Sequence, residues 1–464
     1  MALKKMDFHS IDESIMPIYG RRSLKKPIPK YIIPDTELSA RVAYDLVHDQ
    51  LMLDGNARLN LASFLTTWME PEAKQLMAET FDKNMIDKDE YPQTAEIEHR
   101  CVIMLANLWN APDLTKAIGC STIGSSEACM LAGMAFKWQW RKRRQVKNKS
   151  TTKPNLVMGI NVQICWEKFC RYWDIEMRLA PMATNDYTLT ASKMHDLCDE
   201  NTIGVIAILG STFTGEYEPI QAIHAELMKI NQAHDWDIPM HIDGASGAMV
   251  APFIQANLLW DFRLPLVKSI NTSGHKYGLV YPGVGWVVWR DEIELPKELI
   301  LNVNYLGGEM PTFALNFSRP GNAVVGQYYN FLRLGKDGYR RIHLACREVA
   351  IHLAEELRKI GPFKILHGGK DLPVVSWQIQ PDSKLNYDVF DLSERLRMQG
   401  WQVPAYTLPA NLENVAIMRI VVKEGLSLEL ADLLLNDIKR ALDYFDKRAE
   451  HLPQDKHENS GFHH

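Results

Sequence analysis

Five short apolar runs recur through the middle of the chain, at residues 155–160, 203–209, 238–242, 267–270 and 284–289. Amphipathic stretches lie between many of them. Strand, crossover helix, strand is the pattern of a mostly parallel sheet with helices on both faces, so residues 58–345 are expected to form a large α/β domain. Glycines and small polar residues cluster just after the runs, at the edge where open α/β sheets bind ligands. From residue 346 to 448 the pattern changes. A long helical stretch is expected from about Leu344, followed by short strands at 374–379, 401–405 and 415–422 and helices near 389–399 and 429–447. That is a small α+β domain. Residues 37–53 have helical spacing of apolar positions. The rest of residues 1–57, basic and proline-bearing between Arg21 and Lys30, reads as an arm that packs on a partner subunit or stays partly disordered. Residues 449–464 are polar and read as a mobile tail.

Composition changes this picture little. Apolar residues make up 46% and charged residues 23% of 464, which is ordinary for a soluble globular protein. A net charge of -5 gives no global signal for nucleic acid or anionic membranes. No run of about 18 apolar residues occurs, so no membrane span is expected. The start of the chain lacks the apolar core of a signal peptide, which makes cytoplasm the expected address. Seven cysteines without a CxxC pair read as free thiols in a reducing compartment, and no metal site is expected.

The chemistry concentrates at a few places. Lys276 lies in Ser273-Gly274-His275-Lys276, 33 positions after Asp243 in His241-Ile242-Asp243-Gly244-Ala245. Lysine forms imines and loses its proton readily when desolvated. A carboxylate facing a pyridine nitrogen keeps that nitrogen protonated, which makes the ring a better electron sink. The pair suggests an enzyme that uses pyridoxal phosphate (PLP), although each residue alone would be an ordinary surface group. Gly124-Ser125-Ser126-Glu127-Ala128 opens a helical run to about Arg144. It reads as a phosphate cradle or as a plain N-cap with an acidic first turn. Gln163 could lie over a flat ring or be a loop glutamine. Thr212, in Ser211-Thr212-Phe213-Thr214-Gly215, could meet a ring substituent or sit in a polar turn. His275 and Ser273 are candidate phosphate ligands. Arg419, inside the apolar run 415–422, needs a partner and suits a carboxylate or a structural ion pair. The basic cluster 141–149 reads as the solvated end of a helix.

Together these strings resemble the glutamate decarboxylases, group II PLP-dependent decarboxylases of fold type I, the aspartate aminotransferase-like fold. The resemblance runs from about residue 50 to 448. It also includes Leu61-Ala62-Ser63-Phe64, Asp87-Lys88-Asp89-Glu90-Tyr91-Pro92, Trp166-Glu167-Lys168-Phe169, Tyr305-Leu306-Gly307-Gly308, Asn316-Phe317-Ser318-Arg319 and Gly400-Trp401-Gln402-Val403-Pro404-Ala405. It implies a large domain built on a mostly parallel seven-stranded sheet. Lys276 would carry PLP as a Schiff base and Asp243 would hold the ring nitrogen. Ser125, Ser126, Ser273 and His275 would bind the phosphate, with Ser318 contributed across a subunit interface. Gln163 and Ala245 would flank the ring, and Thr212 would contact the region of its hydroxyl. Ser63, Phe64, Asn84 and Asp87 would form the pocket for a distal carboxylate, and Arg419 would take the α-carboxylate. Many relatives have threonine where this chain has Ser63.

The resemblance further implies conversion of L-glutamate to 4-aminobutyrate and CO2 with uptake of one proton, in bacteria as part of acid resistance. It implies a homodimer at least, and in bacterial relatives a hexamer made of dimers. The long basic extension by which plant forms bind calmodulin is not seen. His463, beside His457 and His464, is the expected regulatory residue of a tail that closes the site at neutral pH. Two other readings stay open: another group II decarboxylase acting on aspartate or tyrosine, and a PLP-fold scaffold without catalysis.

Overall fold

The computed structural model describes residues 30–304 and 310–447. The chain divides into two compact units, residues up to Ala57 and residues from Arg58 onward. In the first, the helix Ala40–Leu51 starts at Ser39, whose hydroxyl accepts the amide of Val42, and the Arg41–Asp45 ion pair braces its first turns.

The second unit is built on a seven-stranded sheet. Its strands are β1 (Ile118–Thr122), β2 (Asn155–Gly159), β3 (Glu176–Ala180), β4 (Thr202–Ile208), β5 (Met240–Asp243), β6 (Val267–Ser273) and β7 (Gly285–Trp289). The spatial order is β1-β7-β6-β5-β4-β2-β3. Only β7 runs against its neighbours, β1 and β6, and the remaining pairs are parallel. Every residue of β2, β4, β5 and β7 is buried, as a sheet covered on both faces requires. One face is covered by the helix Ser125–Val146, which turns Leu131, Ala132, Ala135 and Phe136 inward, together with the helix Ile164–Tyr172. The helices Pro92–Leu108 and Ile220–His234 contribute to the core of the other face through Val102, Leu105, Ile223 and Leu227. This is the expected α/β architecture.

A two-stranded ribbon follows, β8 (Leu301–Val303) with β9 (Met310–Thr312). The helix expected from Leu344 starts much earlier. It runs from Asn322 to Ile360, broken at Gly335, whose φ of 56° is left-handed. Beyond the break its inner stripe is Cys346, Val349, Ala350, Leu353, Ala354 and Leu357, a helical period. That stripe packs with the helices Val389–Arg397 and Leu428–Asp446 on a four-stranded sheet. Its strands are β10 (Phe363–Gly368), β11 (Val374–Ile379), β12 (Ala405–Thr407) and β13 (Ala416–Val421), in the order β10-β11-β13-β12 and all antiparallel. The strand expected at 401–405 instead begins at Ala405, because Trp401 buries its ring in the small core and its indole donates to Asp437.

Candidate active site

The carboxyl ends of the parallel strands converge on one cavity of about 230 Å³. Asp243 is the last residue of β5, and Ser273 is the last of β6 beside it. The chain then turns sharply through Gly274 and His275 to Lys276, whose amide returns to the Ser273 carbonyl. Gly274 is required there, because a Cβ would stand 2.4 Å from Gln327 Oε1 and 2.8 Å from a Val284 methyl. A second glycine, Gly210 (φ +108°), bends the chain after β4 towards Thr212. Nine of the expected cofactor residues line the cavity: Ser125, Ser126, Gln163, Thr212, Asp243, Ala245, Ser273, His275 and Lys276.

Each is held locally. Ser125 and Ser126 open the helix Ser125–Val146, and the Ser125 hydroxyl meets that of Ser273 at 2.7 Å. Gln163 caps the helix Ile164–Tyr172, its Oε1 accepting the Cys165 amide at 2.6 Å. The Ala245 amide donates to Asp243 Oδ1 at 3.2 Å, and the Ala245 carbonyl accepts the Ser273 amide at 3.0 Å. Burial holds the Lys276 amine below its ordinary pKa, while the Asp243 carboxylate acts in the opposite direction. Burial, aided by the neighbouring Lys276 charge, brings His275 down to about 4, so its ring is neutral above that.

A second group stands behind the lysine. The segment 61–67 is tied to it: the Thr66 amide donates to the His275 carbonyl at 2.8 Å and its hydroxyl to the Lys276 carbonyl at 2.7 Å. This segment carries Ser63 and Phe64. The Ser63 hydroxyl accepts the Leu65 amide at 3.1 Å. The Phe64 ring has Lys276 Nζ 5.3 Å from its centroid and the Arg419 guanidinium carbon 4.9 Å away. Arg419, on β13, donates to the carbonyls of Thr212 and Ala62, and its buried Nε has no partner.

Asn84, Asp87 and Ser318 do not line the cavity. Asn84 Nδ2 donates to the Ser318 hydroxyl at 3.3 Å, its Oδ1 accepts the Arg319 amide, and the Asp87 amide returns to the Asn84 carbonyl. The three therefore form a separate, partly exposed group. His463 lies outside the described residues.

The structure also brings in residues that the sequence reading left without a role. Trp166 Nε1 donates to Asp243 Oδ2 at 2.8 Å. Asn271 lies opposite Asp243 across β5 and β6. Asn161 lines the cavity and donates to Glu218 Oε1 at 2.9 Å. Glu218 also accepts the amides of Ile208 and Leu189, tying β4 to the loop after β3, and burial pushes its carboxyl up to about 7. One signal for Asn271 was present. Ser269, Asn271 and Ser273 alternate along a central strand, where buried polar groups must find partners.

A model of the pyridoxal-dependent decarboxylase conserved domain matches residues 29–380. The chain belongs to the pyridoxal-dependent decarboxylase family. Within that family it falls with the glutamate decarboxylases. It is 54% identical over 454 residues to the glutamate decarboxylase of Aliivibrio fischeri, covering 98% of each chain. It is 51% identical to that of Lactococcus lactis subsp. cremoris over 94% of each. The structure of the Lactobacillus brevis glutamate decarboxylase superposes with a TM-score of 0.91 at 47% identity, covering 95% of this chain and 100% of that one.

The cavity of this pyridoxal-dependent decarboxylase fits the family's cofactor. His275 Nδ1 is buried there without a partner, next to the first amides of a helix and to two paired hydroxyls. Those groups suit a phosphate. Asp243 and Lys276 supply a buried carboxylate and an amine of lowered pKa in the same cavity.

Proposed function

We propose that the chain decarboxylates L-glutamate to 4-aminobutyrate and CO2 with bound PLP. The observation that carries this reading is the convergence of Lys276, Asp243 and the Ser125–Ser273–His275 cradle on one cavity, with Arg419 beside it. The near-full-length similarity to glutamate decarboxylases supports the choice of substrate. When bound, PLP supplies an electron sink for the pair released as the Cα–carboxylate bond breaks.

The chain's own residues do the rest. Lys276 is the covalent anchor, and its lowered pKa leaves more of the amine neutral and nucleophilic. Asp243 would hold the ring nitrogen. The helix amides at Ser125 and Ser126, with Ser273 and His275, would hold the phosphate. Ala245 and Gln163 would flank the ring, and Thr212 would meet its hydroxyl side. Arg419 takes the α-carboxylate, to which its free Nε gives a further donor. Ser63 and Phe64, on the strap tied to Lys276, face the rest of the substrate. Fixing the two ends of glutamate holds the scissile bond in the orientation that the reaction needs. A proton then replaces CO2 at Cα, so each turnover consumes one proton. That stoichiometry fits a role in acid resistance.

Asn84, Asp87 and Ser318 stand apart from the cavity of their own chain. We assign them to the cavity of a second copy, where Ser318 would reach the phosphate and Asn84 and Asp87 the distal carboxylate. A homodimer is then the minimum active unit. Among the described residues no helix is long and apolar enough to cross a membrane, in keeping with a cytoplasmic enzyme. Incubating the PLP-loaded protein with a panel of L-amino acids tests the reading. 4-Aminobutyrate from glutamate, with aspartate and tyrosine inert, is expected. Turnover of aspartate or tyrosine in place of glutamate would overturn it.

A further inference from the structure

Asp243 is held by more groups than the cofactor requires. Its Oδ2 accepts the Trp166 indole N–H at 2.8 Å. Its Oδ1 accepts the Ala245 amide at 3.2 Å and Asn271 Nδ2 at 3.4 Å. An indole nitrogen only donates, so the carboxylate is the acceptor in that contact. Three N–H donors thus converge on one buried carboxylate and meet both of its oxygens. They also fix the plane of the carboxylate.

A second layer fixes Asn271. His241 and Ser269 are cross-strand partners on β5 and β6, as are Asp243 and Asn271. His241 Nε2 lies 2.8 Å from Asn271 Oδ1, and Nδ1 lies 2.8 Å from the Ser269 hydroxyl. With Asn271 Nδ2 given to Asp243, the Oδ1 atom can only accept. His241 therefore carries its proton on Nε2, and Nδ1 accepts from Ser269. Reversing the Asn271 amide would set oxygen against oxygen at Asp243. The Trp166 ring closes on His241 edge-on, with centroids 5.3 Å apart. Burial pushes His241 down to about 4, against the pull of Asp243, so the arrangement keeps its neutral imidazole above that pH.

We propose that Trp166, Asn271 and His241, backed by Ser269, are positioning residues that aim the Asp243 carboxylate at the cofactor's ring nitrogen and keep the shared proton on that nitrogen. This rests on the assignment of Asp243 to the ring nitrogen.

The test uses full-length holoenzyme and two readouts other than turnover: the dissociation constant of PLP, and the 15N shift of ring-labelled PLP bound to the protein. Trp166→Phe keeps the ring and removes the N–H, and His241→Leu removes both ring nitrogens. Trp166→Phe is expected to weaken PLP about ten-fold, as loss of a hydrogen bond to a charged group does, and His241→Leu to weaken it by less, through the released Asn271; both should move the nitrogen signal towards its unprotonated position. His241→Gln, which restores a donor, should recover much of both losses. Asp243→Ala is the control. Should Asp243→Ala lose PLP and the protonated signal while Trp166→Phe and His241→Leu keep both, the positioning proposal is overturned and the role of Asp243 stands. Should Asp243→Ala change neither, the assignment of Asp243 falls and the proposal with it. If the larger substitutions do not fold, Ser269→Ala carries the test. A smaller shift of the nitrogen signal in the same direction is expected, and an unchanged signal contradicts the tautomer lock.

Discussion

The guanidinium carbon of Arg419 stands 4.9 Å from the centroid of the Phe64 ring, and Lys276 Nζ stands 5.3 Å from the same centroid. One aromatic ring thus spaces the proposed carboxylate anchor from the proposed covalent anchor. The arginine fork also bridges the carbonyls of Thr212, on the large-sheet side, and Ala62, on the strap. A lysine has a single nitrogen in place of the fork, so it cannot bridge the two carbonyls from separate nitrogens and present a planar pair of donors to a carboxylate. Arg419→Lys is therefore expected to lower kcat/KM for glutamate by roughly 30- to 100-fold, the cost of a charge-assisted pair, while the protein still binds PLP. Steady-state kinetics and the visible absorption of bound cofactor check this together. Unchanged kcat/KM would remove Arg419 from the substrate site.

Gly274 predicts a structural failure with a chemical consequence. A methyl group there would sit 2.4 Å from Gln327 Oε1, and Gln327 is fully buried with its Nε2 already given to the Gly278 carbonyl. The turn bearing Lys276 must shift to relieve the clash. Gly274→Ala is expected to destabilise the fold by about 1–3 kcal/mol, as overpacking does, and to weaken PLP. Urea unfolding and cofactor titration measure the two effects. A variant of wild-type stability and affinity would show that the turn tolerates the methyl.

The Ser125–Ser273 hydroxyl pair predicts a milder effect. Removing one partner leaves the other exposed to the cavity, where phosphate can still use it. Ser273→Ala is expected to weaken PLP by roughly five- to ten-fold, one net hydrogen bond, with little change in stability. Equilibrium dialysis of PLP reads this directly. A loss beyond a hundred-fold, or none, would contradict the cradle as drawn.

His343 gives a pH dependence of stability. It is fully buried among Tyr277, Tyr339 and Phe253, and burial pushes its pKa from 6.5 down to about 3, with only a backbone contact at Met249 opposing. Above pH 6.5 both folded and unfolded forms are neutral at this position and its contribution to stability is complete. As pH falls from 6.5 towards 3 the unfolded chain takes the proton first, so stability drops at about 1.4 kcal/mol per pH unit. His343→Leu should narrow the difference in unfolding free energy between pH 7.5 and pH 5. An equal difference in the variant would show that His343 titrates normally in the fold.

Much of this architecture was legible in the chain because burial on both sheet faces writes continuous apolar runs, as in β2, β4 and β7. Two strands of the large sheet were not, and neither were β8, β9 and β10. β1 reads Ile-Gly-Cys-Ser-Thr and takes its strand form from pairing with β7. β3 lies at the edge with Glu176 exposed, so its apolar signal is diluted. The long helix from Asn322 was read short because Gly335, Lys336, Asp337 and Gly338 look like a turn, and the chain does break at Gly335. At the site, residues whose placement depends on local sequence were readable: serines at a helix start, a lysine just after a strand, an aspartate at a strand end. Trp166 and His241 were not, because their partners come from other elements and only the fold brings them together. Asn84 and Asp87 show the opposite case. The resemblance grouped them with the site, whereas a single chain holds them apart from it, beside Ser318, which was expected from across a subunit interface.

Release of CO2 from L-glutamate by the PLP-loaded protein, with and without Lys276, tests the central claim most directly. One CO2 per 4-aminobutyrate from the native chain, and none from Lys276→Ala, is the predicted result. Undiminished release by Lys276→Ala, or a PLP-bound native protein that leaves glutamate untouched, would contradict it.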